Sequence, residues 1–283
     1  MAVKILIDSA SDINEKEAQE LGITMLPMTI TFGKEDYMDG VNLLPKEFYE
    51  KLIENKSLLP KTSQVNAFRF EEEYERITKD GDELVVITIS SKLSGTYNSA
   101  IQAAKNYEGK VFVVDSMSAC AGERLLCEYA LRLIKDGKSA KEVADELDRV
   151  KSKLHIMAVI DTLEYLKKGG RISAAVAFAG KLLSIKPVVA MVDGKVKMIG
   201  KAMGSKNGNN LLNKIVNEKG GIDFNMPYGA IWSGLTDITL KKYVEDSAHL
   251  WKDSTDNVPA YILGGTIGTH IGPGAVGVAF FEK

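Results

Sequence analysis

Short apolar runs alternate with longer amphipathic segments through the first half of the chain. The runs at 3–7, 83–89 and 110–114 are rich in Val, Ile and Leu and have the length of buried strands. Segments with helical spacing of apolar residues follow two of them, at 97–106 and 122–135. This order is typical of βαβ units and predicts a mostly parallel sheet covered by helices.

The same spacing indicates four further helices, at 14–21, 45–53, 68–79 and 140–150. Asp12 is the candidate N-cap of the first and Ser139 of the last, because short polar side chains accept hydrogen bonds from the free amides of a helix start. Residues 25–32 are predicted to return as extended chain.

The pattern changes after about residue 155. Strand-like runs lie at 155–160 and 186–192, with an apolar helical segment at 172–183 between them. Asp193-Gly194 is a hairpin turn signal, and another strand-like run follows it at 196–199. Because a hairpin pairs its strands antiparallel, we expect a mixed sheet in this half.

These patterns predict an α/β protein of two domains. Residues 1–155 are expected to form a three-layer α/β/α domain with a mostly parallel sheet, and residues 156–283 a two-layer α/β domain with a mixed sheet. The length of 283 residues favours two domains, with one large α/β domain as the alternative. A hydrophobic share of 45% and a charged share of 26% are ordinary for a globular protein.

Residues 257–281 contain no Asp, Glu, Lys or Arg, and the segment is long enough to span a bilayer. However, it contains six glycines as well as Pro259, Pro273 and His270, which are unfavourable in a membrane helix. We therefore expect two buried strands around a Gly-rich loop, and no stable insertion into a membrane.

Charge and cysteine content restrict the class of protein. The net charge of −2 gives no general attraction to a polyanion, so a dedicated nucleic-acid binder is not expected. Cys120 and Cys127 lie in a predicted helix at a spacing that fits neither a disulfide framework nor a zinc site. Together with the lack of a signal-peptide pattern at the start, this predicts a cytoplasmic protein.

A hydroxyl-rich, Gly-containing run lies between a predicted strand and a predicted helix. It contains Ser91, Ser94, Gly95 and Thr96. Free backbone amides and the helix dipole favour an anion at such a place, so these residues are candidates to bind a carboxylate or a phosphate. The alternative is that one of the hydroxyls only caps the helix.

Three other segments carry candidate chemistry. Thr62-Ser63-Gln64, in a predicted turn between two helices, can supply further hydroxyl donors. His270 lies in the predicted Gly-rich loop, where the backbone can approach a ligand closely. A basic turn that ends at Arg171 precedes an apolar segment of small residues, which can leave room for a ligand tail or pack tightly against a neighbour.

Several common motifs are missing from the sequence. It contains no Gly-x-x-x-x-Gly-Lys-Ser/Thr phosphate loop, no Gly-x-Gly-x-x-Gly at the first helix, no Gly-x-Ser-x-Gly and no His-Glu-x-x-His. We therefore expect no nucleotide cofactor and no metal.

Taken together and in order, the motifs resemble those of the DegV family over the whole chain. The matching segments are Asp8-Ser9-Ala10-Ser11-Asp12, Thr62-Ser63-Gln64, the run 90–96, Val114-Asp115-Ser116, the run 161–173, Ile185-Lys186-Pro187 and the run 268–274. Each segment is weak alone, but the ordered set is specific.

The resemblance implies a two-domain fold that holds a long-chain fatty acid, with the tail in the second domain and the carboxylate where the domains meet. By resemblance, Thr62, Ser94 and His270 bind the carboxylate. Ser63, Gly95, Thr96 and Thr269 are the further ligand-binding candidates, and Arg171 lies at the rim. The family also implies a partner, a separate ATP-dependent fatty acid kinase subunit that phosphorylates the bound carboxylate to an acyl phosphate for bacterial phospholipid metabolism.

Two departures from the family pattern bear on that partner. Val65 stands where the family usually continues Thr-Ser-Gln with Pro. Lys201 and Lys206 lie in a stretch that is richer in arginine in the family. Lysine replaces the charge of arginine but not its two-pronged hydrogen bonding, so Lys201 is a candidate for partner docking with altered chemistry.

Two alternatives to a lipid-binding subunit without catalytic machinery remain open from the sequence. In the first, Ser94 and His270 form a nucleophile and base that hydrolyse acyl esters. In the second, the protein carries a different amphiphile or is a regulatory module whose lipid is structural.

Overall fold

The computed structural model describes residues 2–55, 58–173, 184–251 and 255–283. The strands in chain order are β1 (Val3–Asp8), β2 (Thr24–Leu26), β3 (Thr29–Phe32), β4 (Glu35–Met38), β5 (Lys61–Ser63), β6 (Glu83–Thr88), β7 (Val111–Asp115), β8 (Leu154–Val159), β9 (Ile185–Val192), β10 (Lys195–Met203), β11 (Tyr228–Trp232), β12 (Ala260–Ile262) and β13 (Val276–Phe281). The helices are α1 (Glu15–Leu21), α2 (Pro45–Glu54), α3 (Ala67–Thr78), α4 (Thr96–Ala104), α5 (Ala121–Lys135), α6 (Ala140–Val150), α7 (Glu164–Lys168), α8 (Gly204–Glu218), α9 (Ile238–Asp246) and α10 (Gly265–Ile271).

The first sheet has the order β2-β1-β6-β7, and all of its strands run parallel. Leu84, Val85, Val86 and Ile87 in β6 are fully buried, as a central strand covered on both faces requires. The helix pairs α3 with α4 and α5 with α6 pack on this sheet and give the expected three layers. The predicted mostly parallel α/β architecture is confirmed.

Local polar residues define where two of these helices begin. The Ser139 side chain caps α6 in a reciprocal arrangement with Glu142, as predicted. The prediction of Asp12 as the cap of α1 is wrong, because the Asn14 side chain accepts the hydrogen bond from the Glu17 amide. Asp12 instead has a left-handed backbone with φ 61° and faces α10.

The second sheet is mixed, with the order β10-β9-β8-β13-β11-β12. Neighbouring strands in this sheet pair antiparallel, except that β11 and β12 pair parallel. The predicted hairpin joins β9 to β10, and both turn residues, Asp193 and Gly194, have positive φ as a two-residue hairpin turn demands. The fold is therefore a two-domain α/β fold with one parallel and one mixed sheet.

Helix α5 packs against strands of both sheets. Leu125, Leu126, Cys127 and Ala130 of this helix are fully buried, although it belongs in sequence to the first half. On the other face of the mixed sheet, α8 and α9 cover a second core that includes Val188, Leu212 and Tyr243. The predicted boundary near residue 155 stays a prediction.

A third, small antiparallel sheet with the order β4-β3-β5 was not predicted. Thr62 and Ser63 lie in strand β5 of this sheet, so their placement in a turn between two helices is wrong. Ile30 of β3 and Phe48 and Tyr49 of α2 form a fully buried cluster beneath it. Helix α10 packs against this part of the molecule.

The Gly-rich segment near the end of the chain also differs from the prediction. The two expected strands are present as β12 and β13, but His270 lies in helix α10 and not in a loop. Most of the predicted helix at 172–183 lies outside the described residues. Among the helices of the described ranges, none is long and apolar enough to cross a membrane.

Candidate functional site

A mostly apolar cavity lies between the carboxyl edge of the parallel sheet and the mixed sheet. Ile89 follows β6 and Cys120 precedes α5, whereas Ile156, Val189 and Ile231 belong to strands of the mixed sheet. The cavity holds about 760 Å³ of space that atoms do not fill, part of it open to solvent. Its apolar lining with a few polar groups is typical of a site for a small hydrophobic molecule. Since the first half of the chain supplies part of the wall, the cavity is not confined to the second domain.

Five of the residues that line this cavity are polar, namely Thr62, Ser94, Arg171, Thr266 and His270. Four of them were predicted as site residues from the sequence. The structure brings these four together although they lie far apart along the chain. The predicted roles of the individual residues in ligand binding remain predictions.

Thr62 and His270 are joined directly across 208 residues of sequence. The Thr62 hydroxyl and the His270 Nε2 atom are 2.9 Å apart, and which of them donates depends on the imidazole tautomer. Burial, with a smaller contribution from the Arg171 charge, lowers the pKa of His270 to about 4. The imidazole is therefore neutral at neutral pH and can donate or accept one hydrogen bond at each nitrogen.

The second nitrogen of the same ring is enclosed by backbone. His270 Nδ1 is buried and has no hydrogen-bond partner among the described residues. A β-carbon added at Gly169 would lie 2.1 Å from this atom, far inside van der Waals contact. Gly169 has φ −75°, which suits any residue, so its close approach to the ring and not its backbone conformation calls for glycine.

Arg171 closes the polar end of the cavity. Its Nε donates to the carbonyl of Leu93 over 3.2 Å, and its Nη1 donates to the carbonyl of Gly169 over 2.6 Å. The guanidinium is thus fixed between the loop that carries Ser94 and the turn that touches His270. It places a positive charge beside a neutral histidine, an arrangement that favours an anionic ligand.

The hydroxyl-rich run leads directly into α4. The Ser94 hydroxyl lies 2.9 Å from the Thr96 hydroxyl and accepts a hydrogen bond from the Thr96 amide. The residue that caps α4 is Gly95, without a side-chain bond, so Ser94 makes a local turn bond just before the helix and also lines the cavity. Gly95 lies under the Gln64 side chain, whose amide donates to Ser99 Oγ over 2.9 Å.

The remaining predicted residues do not line the cavity. Ser63 is exposed in β5, and Thr96 is fully buried beside Ser94. The Thr269 hydroxyl donates to the carbonyl of Gly265 within α10. Lys201 is exposed on β10, the strand at one edge of the mixed sheet.

Sequence reasoning missed three residues that adjoin the site. Thr266 lines the cavity one helical turn before His270. Asp12 and Asp39 accept hydrogen bonds from the first amides of α10. The i, i+4 spacing of Thr266 and His270 would have suggested Thr266 if a helix had been assigned to this segment.

A cysteine thiol also lies at the cavity. Cys120 lines the cavity, and burial raises the pKa of its thiol well above the ordinary value. Within the described parts of the chain, no group of three or more His, Cys, Asp or Glu side chains is arranged to hold a metal ion.

We expect Gly169→Ala to displace the His270 ring and break its bond to Thr62. The new methyl group cannot share space with Nδ1, and overpacking of this kind costs about 1–3 kcal/mol. Urea unfolding and the imidazole ¹⁵N signals of His270 measure the two effects. Gly95→Ala is the matched comparison, because its backbone is also helical and its neighbour, the end of the Gln64 side chain, can swing away. The prediction is contradicted if the two variants lose the same stability and the His270 signals of Gly169→Ala match those of the wild type.

A family model described as uncharacterised protein, DegV family, matches residues 2–283. The chain belongs to the DegV family. A DegV domain-containing protein of Halalkalibacterium halodurans is 33% identical over 281 residues, which cover 99% of this chain and 98% of that protein.

Two solved structures share the whole fold. A DegV family protein from Thermus thermophilus, described by its fatty acid binding, has a TM-score of 0.88 and 29% identity, with all of both chains covered. A stearic acid-binding protein from Eubacterium ventriosum has a TM-score of 0.84 and 27% identity, and the match covers 100% of this chain and 99% of that one.

Proposed function

We propose that this DegV protein binds a long-chain fatty acid, with the carboxylate at the Thr62–His270 end of the cavity and the tail among its apolar residues. The observation that carries the proposal is the cavity itself, which has apolar walls and a cluster of Thr62, Ser94, Arg171 and His270 at one place. The fatty acid binding of the structurally similar proteins from Thermus thermophilus and Eubacterium ventriosum supports it.

The two ends of such a ligand contribute differently to binding. A tail of ~15 methylenes at ~0.8 kcal/mol each gives a gross gain of ~12 kcal/mol on burial. A hydrogen bond to a charged group gives only ~1.5–3 kcal/mol. The tail therefore supplies most of the affinity after the costs of ordering, and the polar cluster orients the carboxylate.

Organic extraction of the purified protein followed by mass spectrometry tests this function. We expect long-chain acyl species in about one equivalent per chain, or an increase in thermal stability when fatty acids are added to lipid-free protein. The proposal is overturned if the extract contains no acyl species and added fatty acids do not raise the thermal stability. Recovery of a different amphiphile would show that this amphiphile, and not a fatty acid, is the ligand.

We further propose that the bound carboxylate is presented to a separate ATP-dependent kinase subunit, which forms an acyl phosphate for phospholipid metabolism in the bacterial cytoplasm. The absence of a nucleotide-binding motif from this sequence is consistent with a separate subunit. The cavity that the polar cluster lines is partly open to solvent. Lys201 and Arg171 are the candidate docking and rim residues.

Removal of the Ser94 hydroxyl should impair presentation more than retention. We expect Ser94→Ala to keep its fatty acid with a loss of affinity of at most roughly 10- to 150-fold, since one hydrogen bond to a charged group is worth ~1.5–3 kcal/mol and the buried tail supplies far more. Phosphorylation by the kinase subunit should fall further, because the carboxylate is no longer oriented. Ser91→Ala is the control, as Ser91 does not line the cavity. A Ser94→Ala protein that is purified empty of lipid but supports full phosphorylation would contradict this prediction.

The acyl hydrolase alternative has weaker geometric support. His270 Nε2 contacts Thr62 and not Ser94, whose hydroxyl contacts Thr96. In a hydrolase the second ring nitrogen is held by an orienting acid, whereas His270 Nδ1 has no hydrogen-bond partner in the described part of the chain. A serine-directed fluorophosphonate should leave the protein unmodified.

A further inference from the structure

Helix α10, which carries His270, has no cap of its own. It is only seven residues long, and the residue before it is Gly264, which has no side chain. The first amides of a helix have no acceptor within the helix and must find one elsewhere. The start of α10 therefore depends on other parts of the chain.

Two carboxylates from the first 40 residues supply the acceptors. Asp12 Oδ1 accepts from the Gly264 amide over 2.7 Å. Asp39 Oδ1 accepts from the Gly265 amide over 3.0 Å, and Asp39 Oδ2 accepts from the Thr266 amide over 3.1 Å. Both carboxylates are more than 220 residues away in sequence, so they join the start of α10 to the first half of the chain.

Asp39 is itself held in place. It is only 2% exposed, and Ser9 Oγ donates to its Oδ2 over 3.1 Å. The same Ser9 hydroxyl accepts from the Met28 amide over 3.0 Å. Ser9 follows β1 directly and Met28 lies between β2 and β3, so the carboxylate is fixed to the strand ends of the first half.

The helix also has little room to move at this end. A β-carbon added at Gly265 would lie 2.4 Å from Ile30 Cδ1 and 3.0 Å from Phe48 Cδ2. At Gly268 it would lie 2.5 Å from Phe48 Cε1. The glycines thus bring the α10 backbone against the side chains of β3 and α2, where Asp39 can reach it.

His270 lies four residues after Thr266, a rise of about 6 Å along the helix. A shift or tilt of so short a helix at its start is passed on to the imidazole at its end. The bond between His270 and Thr62 has a length of 2.9 Å and would be lost after a displacement of about 1 Å.

We propose that Asp39, with Asp12 in support, is a positioning residue of the carboxylate site: it fixes the start of α10 so that His270 meets Thr62. Asp39 does not line the cavity and acts only through the helix. This inference rests on the proposed fatty acid binding and names a residue that determines how well the site is formed.

The test compares Asp39→Asn with the wild-type protein. The amide has nearly the shape of the carboxylate but offers one acceptor oxygen where two are used, so one helix amide faces an NH₂ group. Because the shifted helix no longer brings His270 to Thr62, we expect palmitate, added to lipid-free protein, to bind about tenfold more weakly. Asp36→Asn is the matched control, since Asp36 is an exposed acid of β4 that accepts a hydrogen bond from Thr31 and, among the described residues, makes no hydrogen bond to the start of α10.

A double-mutant cycle separates positioning from general stability. In a His270→Ala background the histidine is gone, so Asp39→Asn should change palmitate affinity by less than about twofold. Persistence of the full tenfold loss in that background would overturn the proposal. If Asp39→Asn does not fold, the same cycle with Asp12→Ala, which removes the acceptor of the Gly264 amide, takes its place.

A second readout does not depend on lipid. The chain has three histidines, so the imidazole ¹⁵N signals of His270 can be assigned with His155 and His249 as internal references. In lipid-free Asp39→Asn protein we expect only the His270 signals to move, and unchanged His270 signals would overturn the proposal. If wild-type protein fails to bind palmitate, the proposed function fails, whereas this measurement still tests the positioning role.

Discussion

Val189→Trp should shorten the fatty acids that the protein can hold. Val189 lies in β9, is 4% exposed and lines the apolar cavity as part of the core between the two sheets. An indole at this position occupies space that the proposed tail requires. We expect the effect on affinity to grow with chain length, because the polar cluster is left intact.

The magnitude follows from the burial of methylenes. Each methylene excluded from the cavity costs ~0.8 kcal/mol, so exclusion of about four costs ~3 kcal/mol, or a roughly 100-fold loss of affinity. A series of saturated acids of increasing length, titrated against lipid-free protein by calorimetry, measures this. Short acids should bind both proteins equally, and the affinity for longer ones should stop rising in the variant.

Val189→Ala is the control, since it enlarges the cavity at the same position of the wall. It should keep the affinity for long acids within about tenfold of the wild-type value. Urea unfolding of both variants checks that the fold is intact, as overpacking alone costs about 1–3 kcal/mol of stability. A loss that is the same for every chain length would contradict a tail in this part of the cavity and would indicate that the variant acts on the carboxylate end.

The elements that could be predicted from the sequence are those with a local cause. The buried strand β6 is a continuous apolar run, Ser139 and Glu142 form a capping pair three residues apart, and Asp193-Gly194 specifies its own turn. Such signals act within a few residues, so each is visible in the chain itself. The parallel and mixed sheets follow from them.

Helix α10 shows why other elements were missed. Its sequence contains glycines at 265 and 268 and begins after Gly264, a composition that indicates a loop because glycine is costly in a helix interior. The helix is stabilised by Asp12 and Asp39, more than 220 residues earlier, and by close packing that only glycine permits. No local pattern reports such contacts.

The candidate site was predictable only in part for the same reason. The hydroxyl-rich run around Ser94 has the chemistry of an anion site, but helix capping explained it equally well. The partner of Thr62 is 208 residues away, and no spacing rule connects it to His270. The family resemblance suggests that pair, whereas Asp39 carries no local signal and Thr266 carries one only if the segment is assigned as a helix.

Titration of His270 should reveal whether the carboxylate binds beside it. In the lipid-free protein the pKa of His270 is lowered to about 4, first by burial and then by the Arg171 charge. A carboxylate brought within hydrogen-bond distance favours the imidazolium form and raises the pKa by about 1–3. We therefore expect the pKa of His270, followed by NMR, to rise to about 6 when fatty acid is bound.

This coupling makes binding depend on pH in a defined direction. Above about pH 6 the histidine is neutral with or without ligand, so its contribution to affinity is constant. Between about 6 and 4 only the complex takes up the proton, and this contribution strengthens about tenfold for each pH unit, up to roughly 100-fold. Because the fatty acid and other groups also titrate in this range, the measured quantity is the ratio of affinities of wild type and His270→Gln at each pH.

The same histidine also affects the stability of the lipid-free protein. Its contribution to binding strengthens as the pH falls, whereas its contribution to folding stability weakens. Its folded pKa of about 4 lies below its ordinary value of 6.5, so the unfolded chain takes up the proton first. The stability associated with the neutral ring is complete above pH 6.5 and is lost as the pH falls towards 4, by about 3 kcal/mol in all.

Burial raises the pKa of Asp8 to about 7, which makes stability change with pH in the reverse direction over much of this range. The free energy of unfolding of wild type minus that of His270→Gln cancels the Asp8 contribution. If this difference in unfolding free energy does not change between pH 7.5 and pH 4, the ring is not buried in its neutral form. If the pKa of His270 does not change when fatty acid binds, the carboxylate lies elsewhere.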